Sequence, residues 1–314
     1  MLVFKAPDLD GVLPRGRHGL TAAFLAGAVV VALCGVVLSA WRWQRVLAAF
    51  GAEVSVPTLT NIYLASLFLG NVLPSTIGGD VLRVTRASRP SGSAEIAFGS
   101  VAVERLSGFV ALPLLVLTGF AARPSLLEED HALVAILIAL VTLGLLASIV
   151  FLAGHPRIAG RFTEHENWAR FIGAVHRGVD GLRREPRRIV DVLVSAIAYQ
   201  VSVVASVALI VTAMDLDLPI AALFAFIPAV AMIQVLPLSV SGLGVREGML
   251  VLFLVPLGVS RGQAVGLGLL WYASLLVVSA LGAPAFVAGN RRASIPGPAD
   301  LPAPDVPAAD LPAK

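Results

Sequence analysis

Two stretches of the chain set arginines and carboxylates beside glycine and proline at the end of an apolar run. LPSTIGGDVLR, from Leu73 to Arg83, carries Pro74, Gly78, Gly79, Asp80 and Arg83; LPLSVSGLGVRE, from Leu236 to Glu247, carries Pro237, Gly242, Gly244, Arg246 and Glu247. In each stretch the arginine follows the proline by nine positions, and Gly79 and Gly242 each follow it by five. A third stretch, SVAVERLSGFVAL, places Glu104 and Arg105 inside an apolar segment. A guanidinium grips phosphate oxygens through paired N–H donors, so Arg83 and Arg246 suit an anionic phosphate group. Asp80, Glu104 and Glu247 suit either of two tasks, positioning those arginines or meeting a cationic group. Glu104 and Arg105 also read as members of a structural ion pair, with Asp80 or Arg246 as partner.

The elements that must position these residues follow from the breaks themselves. Proline and glycine end a helix, and backbone groups freed at membrane depth are tolerated only where they are buried in protein or line a wet cavity. Helix ends exposed there carry partial charge and attract ionic groups. Each break ends a short apolar run that a proline opens: Pro57 before TLTNIYLASLFLGNVLP, and Pro219 before IAALFAFIPAVAMIQVLP. The shared pattern covers about thirty residues in each half and reads as an internal repeat. Paired interrupted segments in two halves belong to transporters built from repeats, with the site near the repeat interface. Each break is therefore expected to build half of one polar cavity, with Arg83 and Arg246 brought to it from the two halves.

Composition sets the solvent. Of the 314 residues 57% are hydrophobic and 14% charged, and the mean hydropathy of +0.88 argues against a water-soluble fold. A helix needs roughly 20 apolar residues to cross the hydrocarbon core. Leu20 to Ala40, Ala94 to Phe120, Ala132 to Ala153, Ile189 to Ala213 and Ala264 to Ala288 all qualify. Leu59 to Leu73, Pro219 to Leu236 and Met249 to Leu257 are shorter or interrupted. The expected fold is an all-α integral membrane protein with about six to eight transmembrane helices, two broken or re-entrant segments among them.

Charge between the runs sets orientation. Arg157, Arg161, Arg170, Arg177, Arg183, Arg184, Arg187 and Arg188 mark their connection as cytoplasmic. Glu128, Glu129 and Asp130 on one side of it, and Asp215 and Asp217 on the other, mark the opposite face. Arg291 and Arg292 put the C-terminal end inside. Arg15 and Arg17 argue for an inside N-terminus, while Arg42 and Arg45, read as following the first helix, argue the reverse. Trp168, Phe171, Ile172, Val175, Val179 and Leu182 recur at helical spacing, which predicts an amphipathic helix on the inner leaflet. The expected organisation is an N-terminal segment 1–19, a membrane domain 20–292 containing the cytoplasmic connection 155–188, and a disordered Pro/Ala-rich tail 293–314. The whole is a multi-pass protein of the cytoplasmic membrane.

Other chemistries find little support. The five histidines make no metal-ligand spacing, and Cys34, the only cysteine, reads as a small apolar packing residue. GLGVREG lacks the preceding strand that a dinucleotide loop requires. Asn61, Gln200 and Gln234 read as interhelical hydrogen bonders. No cofactor, metal, nucleic-acid partner or enzymatic activity is expected.

WRWQRVLAAFG, NVLPSTIGGDVLRVTRAS, SVAVERLSGFVAL and SVSGLGVREG, in that order, resemble the lysylphosphatidylglycerol synthase transmembrane-region family over about residues 20–290. In full-length synthases this region is a flippase for an aminoacylated phospholipid made by a separate soluble domain. The segment after Arg292 is not expected to fold into such a domain, so the resemblance implies the flippase-like half alone. The lipid it implies is an anionic phospholipid or a polyprenyl-linked glycolipid, gripped by Arg83 and Arg246. Two other readings stand beside it. One is a membrane scaffold for a glycosyltransferase or lipid-modifying enzyme, held through the amphipathic connection. The other is a membrane-embedded lipid-phosphate transferase, with only Asp80, Glu104 and Glu247 as acid–base groups.

Overall fold

The computed structural model of the chain describes residues 18–72, 76–154, 178, 185–234 and 242–292. The N-terminal segment up to residue 17, most of the basic connection, the tail from residue 293, Pro74 and Pro237 lie outside the described residues. Within the described residues all regular structure is helical. The helices are α1 (His18–Ala49), α2 (Val56–Val72), α3 (Thr76–Ser91), α4 (Ala94–Ala122), α5 (Ala132–Gly154), α6 (Pro186–Ala213), α7 (Ile220–Gln234), α8 (Val245–Leu254), α9 (Arg261–Ala280) and α10 (Ala283–Arg292), with a 3-10 turn at Pro124–Glu128. Gly19–Ala49, Ala94–Ala122, Ala132–Ile149, Arg187–Ala213 and Arg261–Gly289 are long and apolar enough to cross a membrane. These are the five long runs of the sequence. The short runs form α2, α7 and α8 instead of further full spans.

One boundary differs in a way that matters. The apolar run ends at Ala40, yet α1 continues to Ala49, because Trp43, Val46 and Leu47 keep packing against the bundle. Arg42 and Arg45 are therefore helical residues and not loop charges, and Arg42 is buried. They drop out of the orientation argument. Likewise α6 begins at Pro186, inside the stretch assigned to the connection. Cys34 is exposed on α1 and faces the surroundings of the bundle, not its core.

α1 and α6 form an antiparallel pair along their length. Ser206 Oγ donates to Ala28 O at 2.9 Å, a side chain at Gly35 would meet Ser202 and Tyr199, Arg45 pairs with Asp191 at 3.8 Å, and Arg188 donates to Ala48 O. Lipid tails are as apolar as leucine, so such close backbone approach and cross-helix bonding are what hold membrane helices together. The same logic places α4 against α7. A Cβ at Gly119 would overlap the Ala225 backbone, and Phe120 meets Phe226 edge-on at 5.8 Å. Phe226 in turn stacks on Phe253 of α8 at 4.9 Å.

The two broken runs become helical hairpins. α2 packs against α3, and α7 against α8. At Gly79 a Cβ would lie 2.8 Å from Ser66 O, so glycine there lets α3 turn back flush against α2. In the second hairpin Gly242 and Gly244 adopt φ of 74° and 83°, the left-handed region where a side chain is strained. The hairpins enter from opposite ends of the bundle. Arg123, Glu129, Asp217, Pro219, Pro256 and Leu257 line one cleft of about 360 Å³, so the C-terminal end of α4, the start of α7 and the end of α8 share one end. The turns that open the first hairpin, at 50–55 and 92–93, lie at the N-terminal end of α4. The order of long helix, hairpin, long helix thus occurs twice, with the second hairpin inverted.

Candidate functional site

Glu104 lies about 15 Å along α4 from Ala94, at 1.5 Å per residue, and is 1% exposed. A carboxylate buried at that depth must be paired. Two arginines pair with it. Arg42 of α1 donates Nε to Oε1 at 3.0 Å and Nη2 to the same oxygen; Arg83 of α3 donates Nη2 to Oε2 at 3.0 Å. Both arginines are 3% exposed. Of the structural pairings read from sequence, Arg105 with Asp80 is present, but Glu104 does not meet Arg246: residues at separations of 62 and 21 in the chain supply its partners.

Each guanidinium also rests on rings. Arg83 lies between Trp43, 4.3 Å from its centroid, and Tyr63, at 4.4 Å; Arg42 lies 5.4 Å from the Tyr199 centroid. Trp43 is fixed in turn by donation from Nε1 to Ser100 Oγ at 2.9 Å. Such contacts hold the guanidinium planes in one orientation and are each worth about 0.5–2 kcal/mol. Gly108, one turn beyond Glu104, leaves room for Arg42: a Cβ there would be 3.1 Å from Nη1. The spacing in ERLSG therefore puts a carboxylate and a gap on one face of α4, both turned to the same arginine.

At the edge of this cluster Asp80 pairs with Arg105 at 2.6 Å and lies 3.8 Å from Arg83. Asp80 and Arg105 are partly exposed, so this pair is the cluster's polar rim. Gly78 lies in the first turn of α3, half-buried beside it.

The second hairpin repeats the theme with different partners. Arg246, 1% exposed, donates Nε and Nη2 to Glu247 Oε1 at 3.0 and 2.8 Å, and its guanidinium lies 4.9 Å from the Tyr272 centroid and 5.9 Å from that of Trp271, both on α9. Glu247 Oε2 accepts the Gly244 N–H at 2.6 Å, which caps α8. Gly268 makes room for this carboxylate, as Gly108 does for Arg42. Gln234, read from sequence as an interhelical hydrogen bonder, instead leaves Nε2 buried and unpartnered beside Gly242.

In both hairpins, then, the arginine nine positions after the proline is on the returning arm, buried against two rings and paired with a carboxylate. Arg83 and Arg246 are each seated in their own half, by their own acid. Arg42 is the functional candidate that sequence reasoning missed. The available signal was the alternation WRWQR, in which Arg42 stands between two tryptophans in a run that continues the first helix.

A profile of the family described as Lysylphosphatidylglycerol synthase TM region matches residues 14–282. A curated protein of Methanothermobacter thermautotrophicus, described as a UPF0104 membrane protein, is 28% identical over 106 residues, which is 33% of this chain and 30% of that protein. The chain's match thus spans under a third of this relative. No solved structure matches the chain.

Proposed function

We propose, from the premise that this chain belongs to the Lysylphosphatidylglycerol synthase TM region family, that it moves an anionic lipid across the membrane without a catalytic step. The lipid is a phospholipid or a lipid-linked sugar. The observation that carries this reading is the pair of inverted hairpins, each seating an arginine against two rings. Spontaneous flipping is slow because a charged headgroup must cross hydrocarbon, and fixed buried cations lower that cost. Arg83 lies about 12 Å of helix from the end of α3 at Ser91, and Arg246 about 12 Å from the end of α8 at Leu254. The hairpins open to opposite sides, so the two arginines are stations at matching depths from the two surfaces. A headgroup passes from one to the other while its tails stay outside, along apolar faces such as Leu137, Val141 and Leu145 of α5.

The arginine-rich end is cytoplasmic in this reading, which makes Arg83 the station nearer the inner leaflet. The test is reconstitution into vesicles containing fluorescent phosphatidylglycerol in both leaflets, followed by an impermeant reductant. Protein-containing vesicles are expected to bleach well beyond the outer-leaflet share. Bleaching that stops at that share, for labelled phosphatidylglycerol and for a labelled polyprenyl phosphate alike, rejects lipid movement.

A further inference from the structure

We infer that Arg42 and Arg83 form a phosphate-binding site contained within the first half of the fold, with Arg42 and not Arg246 as the second arginine. The inference rests on the transport reading only for the lipid as the source of the phosphate.

The first observation is unused donors. Arg42 Nη1 and Arg83 Nε are buried and have no hydrogen-bond partner among the described residues, although both residues are 97% buried and both already hold Glu104. Buried N–H groups are almost always satisfied, so two orphans on guanidiniums that share one carboxylate point to a missing acceptor. The second is position: Nη1 of Arg42 lies 3.1 Å from where a Cβ on Gly108 would stand, so a glycine there leaves this donor uncovered by a side chain. The third is charge. Among the described residues Arg42, Arg83 and Arg105 meet only the carboxylates of Glu104 and Asp80, which leaves one positive charge over. A phosphodiester carries one negative charge and several acceptor oxygens. Arg246 with Glu247 is already neutral.

The aromatic contacts complete the argument. Trp43, Tyr63 and Tyr199 fix the guanidinium planes, so the spare donors are aimed before any ligand arrives. A planar fork held in this way suits tetrahedral oxyanions, and an ammonium does not reproduce it. The partly exposed Asp80–Arg105 pair is where the cluster reaches the surface. The shared chemistry is a phosphate monoanion, from a lipid headgroup or from free phosphate.

The experiment uses the full chain in an uncharged detergent, titrated separately with dihexanoyl phosphatidylglycerol, inorganic phosphate and dihexanoylglycerol. Tryptophan fluorescence reports on Trp43 stacked against Arg83, and phosphorus NMR line broadening reports on the probe. Saturable binding of the phosphorus-containing lipid, without binding of dihexanoylglycerol, is expected. Arg42→Lys keeps the charge facing Glu104 and so keeps the fold, yet it is expected to weaken binding about ten-fold or more through loss of the fork. Gly108→Ala should weaken it by pressing a methyl group against the Arg42 guanidinium, whereas Arg45→Lys, a half-exposed neighbour on the same helix, should leave it unchanged. Inorganic phosphate binding with the same Arg42→Lys loss supports the site and assigns free phosphate as occupant. Unchanged binding in Arg42→Lys, a loss in Arg246→Lys alone, or no saturable binding of either phosphate overturns it. Lipid movement in vesicles separates the two readings: normal movement by Arg42→Lys overturns this site and leaves transport standing, while binding without movement does the reverse.

Discussion

The Arg42 guanidinium occupies the space that a side chain at Gly108 would take, with Nη1 3.1 Å from where the Cβ would be. Arg42 cannot retreat, because Tyr199 lies on one side and Glu104 holds two of its nitrogens. Gly108→Leu is therefore expected to destabilise the protein by about 1–3 kcal/mol, the usual cost of overpacking. Gly144 on α5 has nothing within 4 Å of a built Cβ, so Gly144→Leu should cost little. Thermal unfolding in detergent, followed by the monodisperse fraction on size exclusion, compares them. Equal stability of the two variants would show that the gap at Gly108 is not structural.

Glu104 carries a second expectation. Removing its charge leaves two arginines facing each other in a buried site, and breaking a buried pair from one side costs about 3–5 kcal/mol. Glu104→Gln should thus lower folded yield severely. Arg42→Met added to it removes one of the stranded charges, so the double variant should be more stable than Glu104→Gln alone. A double variant less stable than either single change contradicts the pairing of Arg42 with Glu104, because the penalties would then be independent.

How much of this was legible in the chain follows from range. The five long apolar runs and the two breaks are local patterns, and the helices and hairpins appear where those patterns lie. The charged residues Arg83, Glu104, Arg246 and Glu247, all buried, were also legible as residues needing partners, since charge inside an apolar run must be accounted for. The partners of Glu104 were not. Glu104 meets Arg42 across 62 positions, and nothing local distinguishes that pairing from one with Arg246. Arg42 itself was hidden by a boundary: hydropathy falls at Ala40, but α1 runs on because Trp43, Val46 and Leu47 are buried against the bundle. Hydropathy marks where lipid contact ends, and a helix continues as long as protein covers it.

The opposed hairpins make a topological prediction. In a Cys34→Ser background, cysteines at Glu129 and Asp217 lie at one end of the bundle, and a cysteine at Glu53 lies at the other. An impermeant thiol reagent applied to intact cells should label the first two and not the third. Labelling of Glu53→Cys together with Glu129→Cys would place the open ends of both hairpins on one side and remove the inverted arrangement.

The turn into α8 gives the last prediction. Gly242 and Gly244 have φ of 74° and 83°, and a left-handed backbone costs a side-chain-bearing residue roughly 1–2 kcal/mol. Gly244 also supplies the N–H that Glu247 accepts, so any shift of its backbone uncaps α8 and disturbs the oxygen atoms that hold Arg246. Gly244→Ala is therefore expected to destabilise by about 1–2 kcal/mol or slightly more, strain and capping acting together. Gly242→Ala adds a contact with Gln234 at 3.0 Å to the same strain and should cost at least as much. Gly248, inside α8 with open space around it, is the control: alanine there removes a flexible residue from a helix and should stabilise by up to about 1 kcal/mol. Unfolding curves for the three variants decide the matter. If Gly244→Ala proves as benign as Gly248→Ala, the turn relaxes to an ordinary conformation, and the geometry that couples the break to Arg246 is not required for the fold.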